Sequence, residues 1–152
     1  MFIRDIMNTC PVVCTEEMPL VQVYQRMLEN DCDHVAVIDS NSHKIPIGII
    51  TEHDICLVTI GKGRHPKDLT AGDVMNTRIA KALDTLTLTN CADLMQAGVK
   101  SKRLLVVDEN GALCGTLTDA DLERSKTNQH FEDLLSRAIA KEYKPSGINR
   151  IF

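Results

Sequence analysis

Two short peptides in this chain set a hydroxyl and an acid at the same spacing. Gly48-Ile49-Ile50-Thr51-Glu52-His53-Asp54-Ile55 and Gly115-Thr116-Leu117-Thr118-Asp119-Ala120-Asp121-Leu122 each run from glycine through an apolar stretch to Thr-x-x-Asp. That spacing suits a helix start. The threonine hydroxyl accepts from a first-turn N–H, and the acid three residues on sits at the positive end of the helix dipole. A strand that delivers the chain into an exposed helix N-terminus is also a place where phosphate binds. One copy alone reads as a helix cap. The repetition makes Thr51, Asp54, Thr118 and Asp121 candidates for ligand contact as well.

Other chemistries find little support. There is no P-loop, nucleophile elbow, His-Glu-x-x-His or paired-glycine fingerprint, so no catalytic residues are assigned. The six cysteines form no Cys-x-x-Cys, and most of them read as buried free thiols. Cys10 and Cys14 with His34 or His53 are too loosely spaced to make a convincing zinc set, and no metal is expected. Net charge is −4 and aromatic content 3%, without tryptophan. Both argue against a nucleic-acid polymer as partner, through phosphate attraction or base stacking. No apolar run approaches a membrane span, and residues 1–5 do not open a secretory signal, so the expected location is cytoplasmic and off the membrane.

The elements that position these residues are themselves duplicated, at an offset of about 68 residues. Asp5-Ile6-Met7-Asn8-Thr9 matches Asp73-Val74-Met75-Asn76-Thr77. Leu20, Val23, Tyr24 and Met27 match Leu88, Cys91, Ala92 and Met95, both at the i, i+3, i+4, i+7 spacing of an amphipathic helix. Val35-Ala36-Val37-Ile38-Asp39 matches Leu104-Leu105-Val106-Val107-Asp108 as a buried strand leading to a turn. Each copy therefore reads as a helical lead-in, a weak extended segment, a helix, two hairpin strands and a closing helix. The expected fold class is α+β, with two βαββα units and their sheets packed together. Unit 1 spans 1–60, a polar linker 61–70 and unit 2 71–124. Residues 125–152 form a tail, whose Phe131, Leu134, Leu135, Ala138 and Ile139 mark a further amphipathic helix. That stripe is expected to pack on the body or on another subunit.

Taken together, the Asp-(Ile/Val)-Met-Asn-Thr lead-ins, the Val-Ile-Asp and Val-Val-Asp strand ends and the Gly-x-(Ile/Leu)-Thr-x-x-Asp motifs resemble the tandem CBS domain pair, or Bateman module, over residues 1–124. The resemblance implies a pseudo-two-fold pair of units with two clefts that commonly bind AMP, ADP, ATP or S-adenosylmethionine, and modules that often dimerise. Such a ligand would be regulatory, with no cofactor required. The carboxylate of Asp54 or Asp121 suits the ribose 2′- and 3′-hydroxyls, and Thr51 and Thr118 suit phosphate oxygens. Adenine is expected against Thr9, Val12 and Val13 in one cleft and Thr77, Ile79 and Ala80 in the other. His34 in the first half, and Lys102 and Arg103 in the second, are expected to face phosphate. A guanidinium forks onto phosphate and stays charged, so the second cleft is expected to favour more phosphate charge. The sequence thus points to a non-enzymatic ligand sensor that acts through a homodimer or a separate regulated protein. The rival reading is an assembly module with vestigial clefts and a partner-binding tail.

Overall fold

The computed structural model describes residues 1–96 and 103–142. The element order is β1 (Val13–Thr15), α1 (Leu20–Glu29), β2 (His34–Ile38), β3 (Pro46–Thr51), α2 (Glu52–Cys56), α3 (Ala71–Val74), β4 (Lys81–Leu83), α4 (Leu88–Gln96), β5 (Arg103–Val107), β6 (Leu113–Thr118) and α5 (Asp119–Glu142). Two three-stranded sheets result, ordered β1-β2-β3 and β4-β5-β6. In each, the first pair is parallel and the second an antiparallel hairpin. This is the α+β architecture of two like units that the repeat predicts.

Alternation along the central strands sorts the side chains between two interiors. Val35 and Val37 of β2 face α1, where Leu20, Val23 and Met27 are buried, whereas Ala36 and Ile38 face the second sheet. Leu104 and Val106 of β5 likewise meet Cys91 and Leu122, while Leu105 faces the seam. Beyond their first residues, His34 and Arg103, these strands are apolar because both of their faces are covered. Tyr24, at the margin of the α1 stripe, remains 42% exposed.

The two copies are laced together. The first lead-in, a 3-10 turn at Ile3–Asp5, leaves its own copy and hydrogen-bonds to the second. Ile3 N donates to Leu86 O at 2.8 Å, and Asn8 exchanges both backbone bonds with Thr116 of β6. Ile3 is fully buried in the core of the second copy, beside Cys91, Leu104, Val106 and Leu117. The second lead-in does the reverse. Ala71 N donates to Met18 O at 2.8 Å, Asn76 exchanges bonds with Ile49 of β3, and Leu69, Ala71 and Val74 complete the first core.

This lacing accounts for the motif glycines. A Cβ on Gly48 would lie 2.8 Å from Met75 Sδ, and one on Gly115 would lie 2.9 Å from the Asn8 carbonyl oxygen. Each glycine makes room for the lead-in of the other copy, which is why the third residue of each of these strands is the one that has no side chain.

The closing helices differ. The five-residue α2 passes into a π-helical turn, Leu57–Gly61, that stops at glycine. The sequence reading separates a closing helix from a tail helix, but α5 runs unbroken through Asp119–Glu142. No Gly or Pro occurs in that span to end it. Leu122 anchors its first turn in the second core at 4% exposure, and residues 126–140 are exposed. The stripe of Phe131, Leu134, Leu135 and Ile139 therefore does not pack on the body; its members are 43–62% exposed.

Candidate functional site

Most of the duplicated residues turn out to have structural duties, and those duties show which side chains are left for a ligand. Asp5 Oδ2 accepts from Phe2 N at 2.8 Å and Asp73 Oδ2 from Thr70 N at 2.9 Å, so the lead-in acids are caps. Met7 and Met75 fill the spaces opposite Gly115 and Gly48. Asn8 Oδ1 accepts from Cys10 N, and Asn76 Oδ1 from Arg78 N, each at 3.0 Å, which turns the chain sharply out of the lead-in. The strand-end acids are spent on the hairpins. Asp39 Oδ1 accepts from Ser40 and Ile45 N–H, and Asp108 Oδ1 from Asn110 and Ala112 N–H. Thr9 and Thr77 stand apart. Both are exposed, and among the described residues neither hydroxyl makes a hydrogen bond.

The Thr-x-x-Asp motifs are closed capping boxes. Thr51 N and Oγ1 both donate to Asp54 Oδ2 at 2.9 Å, and Asp54 N returns a bond to Thr51 Oγ1 at 3.2 Å. Thr118 and Asp121 repeat this at 2.8, 2.9 and 3.3 Å. Each hydroxyl thus gives its only proton to the carboxylate and is not set up to donate to phosphate. A third Thr-x-x-Asp, Thr70–Asp73, which the sequence reading did not single out, forms the same box on an exposed turn. Capping alone therefore accounts for the motif wherever it occurs. Asp54 and Asp121 differ from Asp73 in being half-buried, which leaves one oxygen of a held carboxylate to consider. Among the described residues no hydrogen bond reaches Asp54 Oδ1, whereas Asp121 Oδ1 is bridged by the Arg124 guanidinium. The two acids are therefore not equivalent.

The lacing brings an extended segment of one copy to the motif strand of the other. Asn8, just before Thr9, lies on Thr116, two residues before Thr118. Asn76, just before Thr77, lies on Ile49, two residues before Thr51. A cavity of about 390 Å³ opens on the first of these seams, lined by Thr9, Cys10, Pro11 and Val13 and by Ile38, Lys44, Leu113 and Cys114. That volume is in the range of small-molecule sites. Thr118 and Asp121 do not line it. Of the expected adenine contacts, Val13 and Ile79 face the seam, whereas Val12 and Ala80 pack toward the helix-covered cores.

Of the basic residues expected to face phosphate, His34 and Arg103 are occupied. His34 is the register partner of Thr51, and Arg103 of Thr118, so both stand at the strand ends that hold the motifs. Arg103 Nη2, however, donates across the seam to Asp33 Oδ2 at 2.5 Å. His34 Nδ1 lies 2.9 Å from Oδ1 of the same carboxylate. Burial pushes the Asp33 carboxyl up, but the bonds from His34 and Arg103 outweigh it and hold the group below the usual carboxylate range. Asp33 carried no sequence signal, because its role depends on a residue 70 positions away. Lys102 lies outside the described residues.

The thiols are unbridged. Cys14 and Cys91 are buried and Cys10 and Cys56 exposed, and burial raises the Cys14 thiol to about 11. Among the described residues, no group of three or more His, Cys, Asp or Glu could hold a metal, and no helix is long and apolar enough to cross a membrane.

Two like units laced through their lead-ins, each with a strand that runs into a capped helix, define a paired α+β architecture. Comparison with known proteins supplies the family. The CBS-domain model matches residues 3–60 and again 71–126, and the chain belongs to the CBS-domain family. The protein MK0525 of Methanopyrus kandleri, described as uncharacterized, is 29% identical over 120 residues, which cover 78% of this chain and 57% of the relative. This chain thus spans little more than half the length of that curated relative. Among solved structures, the CBS-pair protein CBSX2 of Arabidopsis thaliana superposes with a TM-score of 0.73 at 22% identity, covering 85% of this chain and 96% of that one. CBSX2 is also known in complex with AMP, with a TM-score of 0.70 at 23% identity, over 85% of this chain and 98% of the other. The CBS domain pair of protein MJ0100, in complex with 5′-methylthioadenosine and S-adenosyl-L-methionine, gives a TM-score of 0.72 at 19% identity over 85% of this chain and 98% of its own.

Proposed function

We propose that this protein is a non-enzymatic sensor that binds an adenosine compound in the clefts between its two copies. The observation that carries this reading is the crossed lacing. Each seam offers an exposed threonine, Thr9 or Thr77, whose hydroxyl makes no hydrogen bond among the described residues, beside a strand that leads into a half-buried, pre-held aspartate. A carboxylate fixed through Oδ2 keeps Oδ1 for a ribose hydroxyl, and holding it in place beforehand lowers the cost of binding. Asp54 is the better placed of the two acids, since Asp121 must first part from Arg124. Thr77 and Ile79 would then meet adenine in the cleft that Asp54 serves, and Thr9 and Val13 in the other. The adenosyl ligands of CBSX2 and MJ0100 agree with this class of guest.

Calorimetric titration with adenosine, S-adenosylmethionine, AMP and ATP tests the reading. Thr77→Val is the sharper variant, because Asp54→Ala also removes a helix cap. The valine variant is expected to melt like wild type and to lose about tenfold in affinity, roughly the value of one hydrogen bond to a ligand. Absence of heat from every compound at millimolar concentration would reject adenosine sensing.

The α5 stripe favours a second reading, self-assembly. A row of apolar side chains 43–62% exposed along one helix is a face that a second copy could cover, as the family resemblance suggests. Replacing Phe131, Leu135 and Ile139 together by serine is expected to convert a dimer to monomer in sedimentation velocity and to leave ligand binding intact. A wild-type monomer at 100 µM, a concentration of about 10⁻⁴ M at which even weak dimers form, would remove this reading.

A further inference from the structure

Among the described residues that line the cavity at the Thr9 seam, Lys44 alone is charged. It stands in the hairpin between β2 and β3 with its backbone in the left-handed region, at φ 56°, where residues with a side chain are rare. Its place is fixed from both sides. Lys44 N donates to Ser40 O at 2.9 Å, and the Lys44 carbonyl accepts from Leu113 N of the other copy at 2.8 Å. The second hairpin shows what the turn itself asks for. Asp39 Oδ1 accepts from Ile45 N and Asp108 Oδ1 from Ala112 N, so the residues just before, Lys44 and Gly111, are equivalent. Gly111 has φ 80°, and glycine takes that conformation without strain. The first hairpin keeps the conformation but carries a lysine, which the turn alone does not favour.

The surroundings of Lys44 suit an anion. No ion pair or hydrogen bond reaches its ammonium among the described residues. The cavity wall carries no carboxylate, and the Thr9 hydroxyl on it is likewise without a partner among the described residues. Cys114, also on the wall, stays an uncharged thiol: burial, and after it the charges of Asp84 and Asp108, push its pKa up. Those two acids line a different cavity, with Arg4. The rest of the Thr9 cavity is apolar or thiol, so an anion inside it meets attraction from Lys44 and no acid on the wall.

We propose that this cavity is an anion site, in which Lys44 and Thr9 hold the phosphate group of a small phosphate monoester that fits about 390 Å³. An ammonium is a point charge that meets phosphate oxygens from any side, and the threonine hydroxyl donates a second bond. Thr118 and Asp121 do not line the cavity, so the inference goes beyond the adenosine reading and does not depend on it. The phosphate belongs either to an adenine nucleotide or to another monoester, and the two sources are separated below. The hairpin thus puts its cation on the first seam, whereas the sequence reading looked for phosphate charge in the second cleft.

Inorganic phosphate is titrated into the full chain and followed by phosphorus NMR, and AMP and adenosine are titrated calorimetrically, all at constant, low ionic strength. Lys44→Gly removes the charge and gives the turn the residue it favours; Lys44→Arg keeps the charge. Phosphate affinity is expected to fall about tenfold in Lys44→Gly, as loss of one charge-assisted bond implies, and to be held in Lys44→Arg. Unchanged binding of both phosphate and AMP in Lys44→Gly overturns the proposal, as does a wild type that binds neither. An AMP preference over adenosine that Lys44→Gly removes identifies the phosphate as a nucleotide's. Phosphate binding that depends on Lys44, with AMP bound no better than adenosine, assigns the site to another monoester. If neither AMP nor adenosine binds in that case, adenosine sensing falls and the anion site stands. Lys44→Asn, which also tolerates the left-handed turn, replaces the glycine variant should that variant melt abnormally.

Discussion

Replacing Gly115 by valine is expected to destabilise the protein by about 3 kcal/mol, lowering its melting temperature by roughly 10 °C. The reason is steric and non-local. A Cβ at this position would meet the Asn8 carbonyl oxygen at 2.9 Å, and that carbonyl is already engaged as the acceptor from Thr116 N. Backbone held in a bridge cannot retreat as a flexible side chain can. Either the bridge breaks, or the Met7 side chain leaves the second core, or β6 moves. Gly48→Val should behave alike but more mildly, because its nearest neighbour, at 2.8 Å, is the Met75 thioether, which can change rotamer. Gly72→Ala is the control: its Cβ would lie 3.5 Å from Glu16, in ordinary contact and within a helix, so the variant should melt at or slightly above wild type. Circular-dichroism melts of the three proteins decide the matter. A Gly115→Val protein within two or so degrees of wild type, less than about 1 kcal/mol, would mean that the lead-in does not press on β6 as described.

Ile3→Ala should show where the first lead-in belongs. Ile3 is fully buried, and truncating such a side chain costs about 2–5 kcal/mol. In a chain of two self-contained units that loss would fall on the first copy. Here Ile3 sits among Cys91, Leu104, Val106 and Leu117, so the second copy should suffer. Native-state hydrogen exchange is expected to show amides of β5 and β6 losing protection, while those of β2 and β3 keep theirs longer. Val74→Ala, buried in the first core, should show the opposite pattern. Equal loss in both sheets for both variants would mean that the copies unfold as one unit, and loss confined to β2 and β3 for Ile3→Ala would contradict the lacing. A practical corollary is that cutting the chain at the repeat boundary strips each half of part of its core, so neither half is expected to fold well alone.

What could be read from sequence was whatever depends on neighbours along the chain. The stripe of Leu20, Val23 and Met27 announces α1 because a helix brings residues three and four apart onto one face. Continuous apolar runs announced β2 and β5, and turn residues announced the hairpins that Asp39 and Asp108 then close. Thr-x-x-Asp announced helix starts correctly in both copies, and at Thr70 as well, where it had gone unnoticed. Repetition made the pairing of two like units, and their family, legible without coordinates.

Tertiary structure alone decided which copy each lead-in serves, why the motif begins with glycine, and what becomes of the basic residues. Each of those outcomes rests on contacts between residues far apart along the chain, 70 positions for Asp33 with Arg103 and 108 for Asn8 with Thr116. Contacts of that range leave no period in the sequence, because either partner alone looks like an ordinary surface acid, cation or amide. That the closing helix and the tail helix, separate in the sequence reading, form one α5 was not legible for a different reason. Its sequence permits a continuous helix, but whether the stripe folds back on the body depends on room beside the second sheet, and that is a property of the assembled core.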